Sequence, residues 1–346
     1  MYEDGCDFEA STSYHRLVLE MFFYCELLGK RAGVEFSQAF RTKLRKMFDF
    51  SLYCIKPNGK IPQIGDNDNG RYLVFLNRPI LEHKYLLSLA AVYYAAQDFK
   101  LSEFGFDEET FWVFGSEGKR IYESLKARGE TLNSRAFKDA GWYIMRHKTD
   151  YCFISCGCNG QNGNGGHSHN DKLSFELMLG GNDVIVDPGT YCYTPYPEWR
   201  NKFRSTAFHN TLQVNGIEQN DISGGLFVMK PGVACVVTRF LEDEQGIEFL
   251  GEVRYLNSLI VHTREIRLSK HGRGIEIRDS VMGSEAASVN ICLGPGSENI
   301  VFEFSAGKLE RFVGLYSDHY GVKNVRIFLK GAIKSGVNIL NIKKKI

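Results

Sequence analysis

The chain has 346 residues, a length that fits roughly two domains of about 150 residues each. Hydrophobic residues make up 43% and charged residues 24%, which excludes a disordered chain and a fibrous repeat. With 42 basic and 41 acidic side chains the net charge is +1, too weak a field to mark a nucleic-acid or membrane partner, and no run of about 18 apolar residues offers a membrane span.

The N-terminus, Met1-Tyr2-Glu3-Asp4-Gly5-Cys6-Asp7, is acidic and lacks the basic-then-apolar pattern of a signal peptide. Helices come first. Over 12–28, Leu17, Val18, Met21, Phe22, Cys25, Leu27 and Leu28 recur at three- and four-residue steps, with Ser11, Thr12 or Ser13 as N-cap and Gly29 as C-cap. A second helix is predicted over 36–54 from Phe40, Leu44, Met47, Phe48 and Leu52, and a third over 79–98. Between them, Gly65-Asp66-Asn67-Asp68-Asn69-Gly70-Arg71 is a polar loop too long for a simple turn; it lacks the spacing and late Glu of an EF-hand, so a substrate-facing or structural role outweighs Ca²⁺ binding.

Near residue 135 the period changes to two. Trp142, Ile144 and Arg146 begin it; Leu173, Phe175, Leu177 and Leu179 repeat it over 172–179. Strand-like runs follow at 183–187, 211–215, 233–240, 247–255, 258–268, 273–280 and 288–293. The pattern predicts an α+β multidomain chain: a helical part over 1–130 and an antiparallel β-sandwich over 131–346. The nine cysteines are scattered and odd in number; Cys156 and Cys158, two apart on one strand, read as small buried hydrophobes, and the usage as a whole favours a reducing compartment.

The chemistry concentrates at 157–176. A Gly/Asn-rich loop suits close approach of backbone to ligand, but it matches neither a P-loop nor a dinucleotide fingerprint. His167 and His169, two apart, face the same way on extended backbone. With Asp187 and His209 downstream, two histidines and a carboxylate make a metal set with an open position, against the alternative of locally hydrogen-bonded polar residues. A zinc hydrolase would further need a carboxylate base, for which Asp171 and Glu176 are the close candidates. Tyr191, Tyr193, Tyr196, Arg200 and Arg204 form a patch able to stack on sugar rings and grip a carboxylate, or else an ordinary loop with a solvated charge run.

Three ordered runs resemble the heparinase II/III-like family of polysaccharide lyases: Gly-Gly-His167-Ser-His169-Asn-Asp171-Lys-Leu-Ser-Phe-Glu176, Val-Asp187-Pro-Gly-Thr-Tyr191, and Arg204-Ser-Thr-Ala-Phe-His209-Asn-Thr. Glu9-Ala-Ser11-Thr-Ser13-Tyr14-His15 resembles the family's Tyr-bearing helix start. The resemblance implies an (α/α) toroid, here partial, followed by an antiparallel β-sandwich, and β-elimination on uronic-acid polysaccharides. It implies a structural Zn²⁺ on His169, Asp187 and His209, catalytic positions at Tyr14 and His167, and a periplasmic or secreted setting. The family's upstream carboxylate-neutralising residue has no counterpart before Tyr14, which points to a C-terminal portion of a longer protein or to a substitute among His15, Asn67, Asn69 and Arg71. Tyr14 is expected to be the acid, or both acid and base on the same face, and His167 the base or Tyr-activating partner, on facing walls of one cleft. The contrasting expectation is a silent carbohydrate-binding or polysaccharide-assembly protein on the same scaffold.

Overall fold

Ser11 is the N-cap of the first helix. Its hydroxyl accepts from the Tyr14 backbone N–H, satisfying one of the donors that a helix start leaves open. The computed structural model describes every residue except Glu130, Arg273, Glu285 and Ile346. The expected boundary at 130 and the expected strand start at 273 therefore lie outside the described residues.

Helix α1 (Thr12–Arg31) runs past Gly29 to a C-cap at Ala32. Gly29 serves packing instead of stopping the helix: a Cβ there would lie 2.6 Å from the Phe36 ring. Helix α2 (Gln38–Cys54) is capped by Ser37. Helix α3 (Tyr85–Tyr94) is shorter than the predicted 79–98, because the chain up to 84 is held as a bend: Arg16 donates to the Ile80 carbonyl and Lys60 bridges Glu82. Helix α4 (Glu108–Ser124) escapes sequence periodicity. Phe111 and Trp112 on it are exposed, and Gly115, at φ 63, breaks its middle.

From residue 135 the chain is β, with all strand pairings among the described residues antiparallel. A five-stranded sheet runs in order β1 (Arg135–Phe137), β2 (Trp142–His147), β3 (Asp150–Ser155), β4 (Phe175–Leu179), β5 (Asn182–Ile185). After the short α5 (Pro197–Phe203), which sequence reading leaves as loop, come β6 (Leu212–Val214), β7 (Val233–Glu242), β8 (Gly246–Tyr255), β9 (Val261–Ser269), β10 (Gly274–Met282) and β11 (Ala287–Cys292). The last four, β12 (Ile300–Phe304), β13 (Glu310–His319), β14 (Val322–Ile333) and β15 (Val337–Lys344), lie beyond the strand-like runs read from sequence. They complete a six-stranded sheet, β12-β15-β10-β9-β8-β7, and a four-stranded one, β13-β14-β11-β6. The β part is thus three sheets where a two-sheet sandwich was expected.

The first sheet is buried on both faces, which explains its almost continuous apolar strands. Trp142, Ile144, Tyr151 and Phe153 pack against the helices through Phe23, Phe48 and Phe50. The alternate residues Tyr143, Met145, Cys152 and Ile154 join a second core with Phe249, Ile266, Ile291 and Leu329 of the other two sheets. Polar ties lock the helices on. Arg146 donates to the Tyr53 carbonyl at 2.7 Å and Tyr151 to that of Cys54 at 2.7 Å, capping acceptors that the end of α2 leaves open. Lys56, fully buried, reaches Glu176 at 3.1 Å and Asp183 at 2.8 Å. No helix among the described residues is long and apolar enough to cross a membrane, and all nine cysteines are free thiols.

Candidate active site and metal-ligand cluster

The start of α1 is stitched to the polar loop. Thr12 N–H donates to the Ile64 carbonyl, and the Ser11 hydroxyl to that of Asp66 at 2.6 Å. The Asp66 N–H in turn donates to the His167 carbonyl at 3.0 Å. Gly65 makes this three-way approach possible. It sits at φ +68, and a Cβ on it would fall 2.5 Å from the Ala10 oxygen and 2.6 Å from the His167 oxygen. The helix start, the loop and the Gly/Asn-rich segment therefore meet at one point.

Asp66 is the hub of that point, a role sequence reading missed; there it figures only as a rejected Ca²⁺ ligand. Its fully buried carboxylate accepts from His167 Nδ1 (2.9 Å), His169 Nε2 (2.8 Å) and both terminal nitrogens of Arg200 (2.5 and 2.7 Å). Burial alone would raise its pKa; the Arg200 guanidinium and the two histidine hydrogen bonds outweigh that and hold it well below the usual carboxylate range. An ionised carboxylate only accepts, so Nδ1 of His167 and Nε2 of His169 carry the protons. His167 is then left with Nε2 as its lone-pair nitrogen, 3.9 Å from Glu9.

Tyr14 lies on His167. The rings stack at 4.0 Å with planes 21° apart, so they form one wall, not the two facing walls expected. The Tyr14 hydroxyl donates to Asp68 Oδ2 at 2.9 Å and lies 3.3 Å from the Tyr193 hydroxyl. Burial, reinforced by the Asp68 charge and only partly countered by Tyr193, pushes its pKa up. The group is a neutral hydroxyl at pH 7.

A second cluster adjoins the hub. His169, Asp187 and His209 offer ligand atoms within 4.8 Å of one another, all buried. Asp66 holds the proton of His169 on Nε2, and Asp187 Oδ2 takes a hydrogen bond from His209 Nδ1 at 2.7 Å. The remaining ring nitrogens, His169 Nδ1 and His209 Nε2, are buried without any partner. With one buried, unpartnered nitrogen on each imidazole and the Asp187 carboxylate in the same buried group, the three side chains are a donor set that fits a divalent metal ion.

The other expected substrate residues divide. Tyr193 joins the cluster through Tyr14. Tyr191 packs edge-on against Trp199 under Lys323, and Tyr196, 52% exposed, begins α5; neither reaches Tyr14. Three arginines are corrections. Arg200 is fully buried on Asp66. Arg204, also fully buried, donates to the carbonyls of Ile222, Gly225, Leu226 and Val228. Arg71 is clamped between Glu20 and Glu109 at 2.6 Å each. The guanidiniums of Arg200 and Arg204 are consumed inside the protein, and that of Arg71 is held by two carboxylates of the helical part. His15 is buried, bonded to Met47 and Ser51, and pushed down to about 3 by burial, so it is no cation either. Asp171 and Glu176, the bases a zinc hydrolase would need, are bound to Lys172 and Lys56. Asn67 keeps its position near the hub; its Nδ2 is buried and unpartnered.

Comparison with known proteins supplies the lineage. Residues 129–306 match the family model described as heparinase II/III-like, C-terminal, and residues 1–78 that of the heparinase II/III N-terminus. The heparin-sulfate lyase of Pedobacter heparinus is 23% identical over 220 residues, 62% of this chain and 30% of its own. Among solved structures, heparinase III aligns with a TM-score of 0.75 at 17% identity, over 99% of this chain and 55% of its own. The heparan sulfate lyase HepC from Pedobacter heparinus aligns at 0.69 and 17%, over 99% and 54%. A chondroitin AC lyase of Streptomyces coelicolor aligns at 0.51 and 11%, over 90% and 49%. The chain spans about half the length of these solved relatives and 30% of the curated one. At such identities the likeness shows a shared fold.

Proposed function

The chain belongs to the heparinase II/III-like family, and on that premise we propose that it cleaves uronic-acid-containing glycans by β-elimination. Residues 1–130 are assigned as helices of an (α/α) toroid and 131–346 as the β domain. The observation that carries the reading is the stacked Tyr14–His167 pair, one member a neutral hydroxyl, the other an imidazole with its lone pair on Nε2.

In the elimination His167 Nε2 takes the proton from C5 of the uronate while the C4–O bond breaks and a C4=C5 double bond forms. Tyr14 gives its proton to the departing oxygen. The proton taken up by His167 then passes to solvent and the Tyr14 oxygen takes one back, which restores both groups. Asp66 holds the His167 ring in the tautomer that leaves Nε2 free, and Tyr193 steadies the Tyr14 hydroxyl. Asn67, with its spare amide donor, is assigned to the substrate carboxylate. His169, Asp187 and His209 are assigned to a zinc ion that, when bound, supplies a fixed positive charge and pins the segment carrying His167.

Incubation of the protein with heparan sulfate, chondroitin sulfate and alginate, followed by ultraviolet absorbance of the unsaturated uronate, tests the assignment. Rising absorbance with at least one glycan is expected. Binding with no new chromophore on any of them would instead favour a silent carbohydrate-binding protein.

A further inference from the structure

On the other side of the 63–69 segment from His167 lies a cavity of about 450 Å³, between the loop after α2 and strands β13 and β14. Its size falls in the range of sites that take small molecules, about 300–1,000 Å³. Gln63 and Asn69 line it, while Asp66 and Asp68 of the same segment face Tyr14 and His167. The partition between the two is a hydrogen-bonded wall. Asn69 accepts from the Tyr320 N–H at 2.9 Å, and the Tyr320 hydroxyl accepts from the Tyr193 N–H at 3.2 Å.

The charges around the cavity do not balance. Its carboxylates are already occupied: Glu176 and Asp183 by Lys56, and Asp318 by His319 at 2.6 Å. Arg78 is spent on Asp107. Two cations remain, Lys60 and Arg326, and neither is ion-paired with a carboxylate among the described residues. Arg326 is also built in place. Its guanidinium lies over the Tyr316 ring at 4.0 Å, and its Nε is buried with no acceptor. Beside it, Gln63 donates to the Tyr316 hydroxyl at 3.4 Å and to the Ser317 carbonyl, while its own Oε1 is buried and unpartnered. A buried donor and a buried acceptor left unmet at one cavity are costly, and a ligand bearing both an anion and hydroxyls would satisfy both.

We propose that this cavity is an anion-binding sugar site, separate from the Tyr14–His167 cluster, in which Arg326 takes a carboxylate or sulfate of a glycan and Lys60 stands at the mouth. Gln63 accepts a sugar hydroxyl, and Tyr316 offers an aromatic wall. The site holds an acidic sugar unit on its own side of the Asn69–Tyr320–Tyr193 wall. The sugar identity rests on the lyase reading; the oxyanion site rests on the cavity alone.

The two are tested apart. In ¹⁵N-labelled protein the Arg326 Nε–H signal, identified by its loss in Arg326→Lys, should shift and saturate on adding sodium sulfate. A heparan-sulfate tetrasaccharide should bind Arg326→Gln about 10- to 100-fold more weakly than the unsubstituted chain, as loss of one or two charge-assisted hydrogen bonds implies. Lys60→Gln, at an exposed position that leaves folding intact, should weaken it several-fold. An unmoved Nε–H signal, or equal tetrasaccharide affinity for Arg326→Gln and the unsubstituted chain, would overturn the site even if unsaturated product forms. Sulfate binding lost in Arg326→Gln, with no product from any glycan, would keep the site and overturn the lyase reading.

Discussion

At the scale of single residues, the cluster works by keeping protons where the chemistry needs them. Tyr14 is raised by burial and by the Asp68 charge, so it stores a proton for the leaving oxygen and is a poor base. Tyr14→Phe keeps the ring on His167 and loses only the hydroxyl. Turnover should fall by about 10²–10⁴-fold, the usual worth of a general acid, with glycan affinity within about twofold; steady-state kinetics and calorimetric titration check both. Full turnover in Tyr14→Phe would remove the acid role and pass it to Tyr193. A different burial effect governs stability. Asp7 is buried with neither carboxylate oxygen partnered, and burial, aided by the Glu9 charge, raises it to about 7. Unfolded, it ionises near its ordinary value of 3.8. Between those two values the unfolded chain binds fewer protons than the folded one, so stability declines as pH rises from about 4 to about 7 and then levels. Asp7→Asn does not titrate. Its stability relative to the native sequence should improve by a few kcal/mol across that window, on the order of 1.4 kcal/mol per pH unit, read from urea unfolding at pH 4.5, 6 and 7.5.

At the scale of elements, the helices stand on the first sheet through aromatic packing and through a few buried ions that cap or bridge them. Lys56 is the sharpest case, because one ammonium serves two carboxylates from neighbouring strands. Lys56→Met would leave Glu176 and Asp183 buried with no countercharge. A loss of about 3–5 kcal/mol is expected, the cost of breaking a buried pair by removing one partner, seen as a lower urea midpoint. A change below about 1 kcal/mol would mean that water or Asn58, which already donates to Asp183 at 3.0 Å, compensates. Phe50 provides the apolar counterpart. It packs edge-on against Phe137 and tilted on Trp142.

At the scale of the whole molecule, Asp66 couples the helical loop, the His167 segment and the metal-ligand cluster through one carboxylate. If zinc occupies His169, Asp187 and His209, it binds the folded state only. An ion present at about 1,000 times its dissociation constant would then add about 4 kcal/mol. EDTA should lower the melting temperature by several degrees, added zinc should restore it, and His169→Ala should abolish the response; calorimetry with metal analysis measures this. Protein that purifies without a divalent ion and melts identically in EDTA and zinc would argue against the assignment.

What the sequence determined by itself was what depends on neighbours along the chain. An N-cap among Ser11, Thr12 and Ser13, helices read over 12–28 and 36–54, the turn to period-two strands near 135, and the His-x-His beside a later Asp and His are all encoded in residues a few positions apart. Only the tertiary structure decided where charges spend themselves. An arginine that grips a ligand and one that grips a buried carboxylate look alike in sequence. Arg71, Arg200 and Arg204 turned inward because Glu20, Glu109, Asp66 and a set of carbonyls met them first. Asp66 acquired its role from partners 101, 103 and 134 residues away, brought close by a glycine with no Cβ to clash. The third sheet was hidden for a related reason: β13 and β14 leave Phe312, Val313, Val325 and Ile327 exposed, so burial does not impose the alternation by which a strand is read. Desolvation sets the energy of such pairings, and it is a property of the folded surroundings, not of any local run of residues.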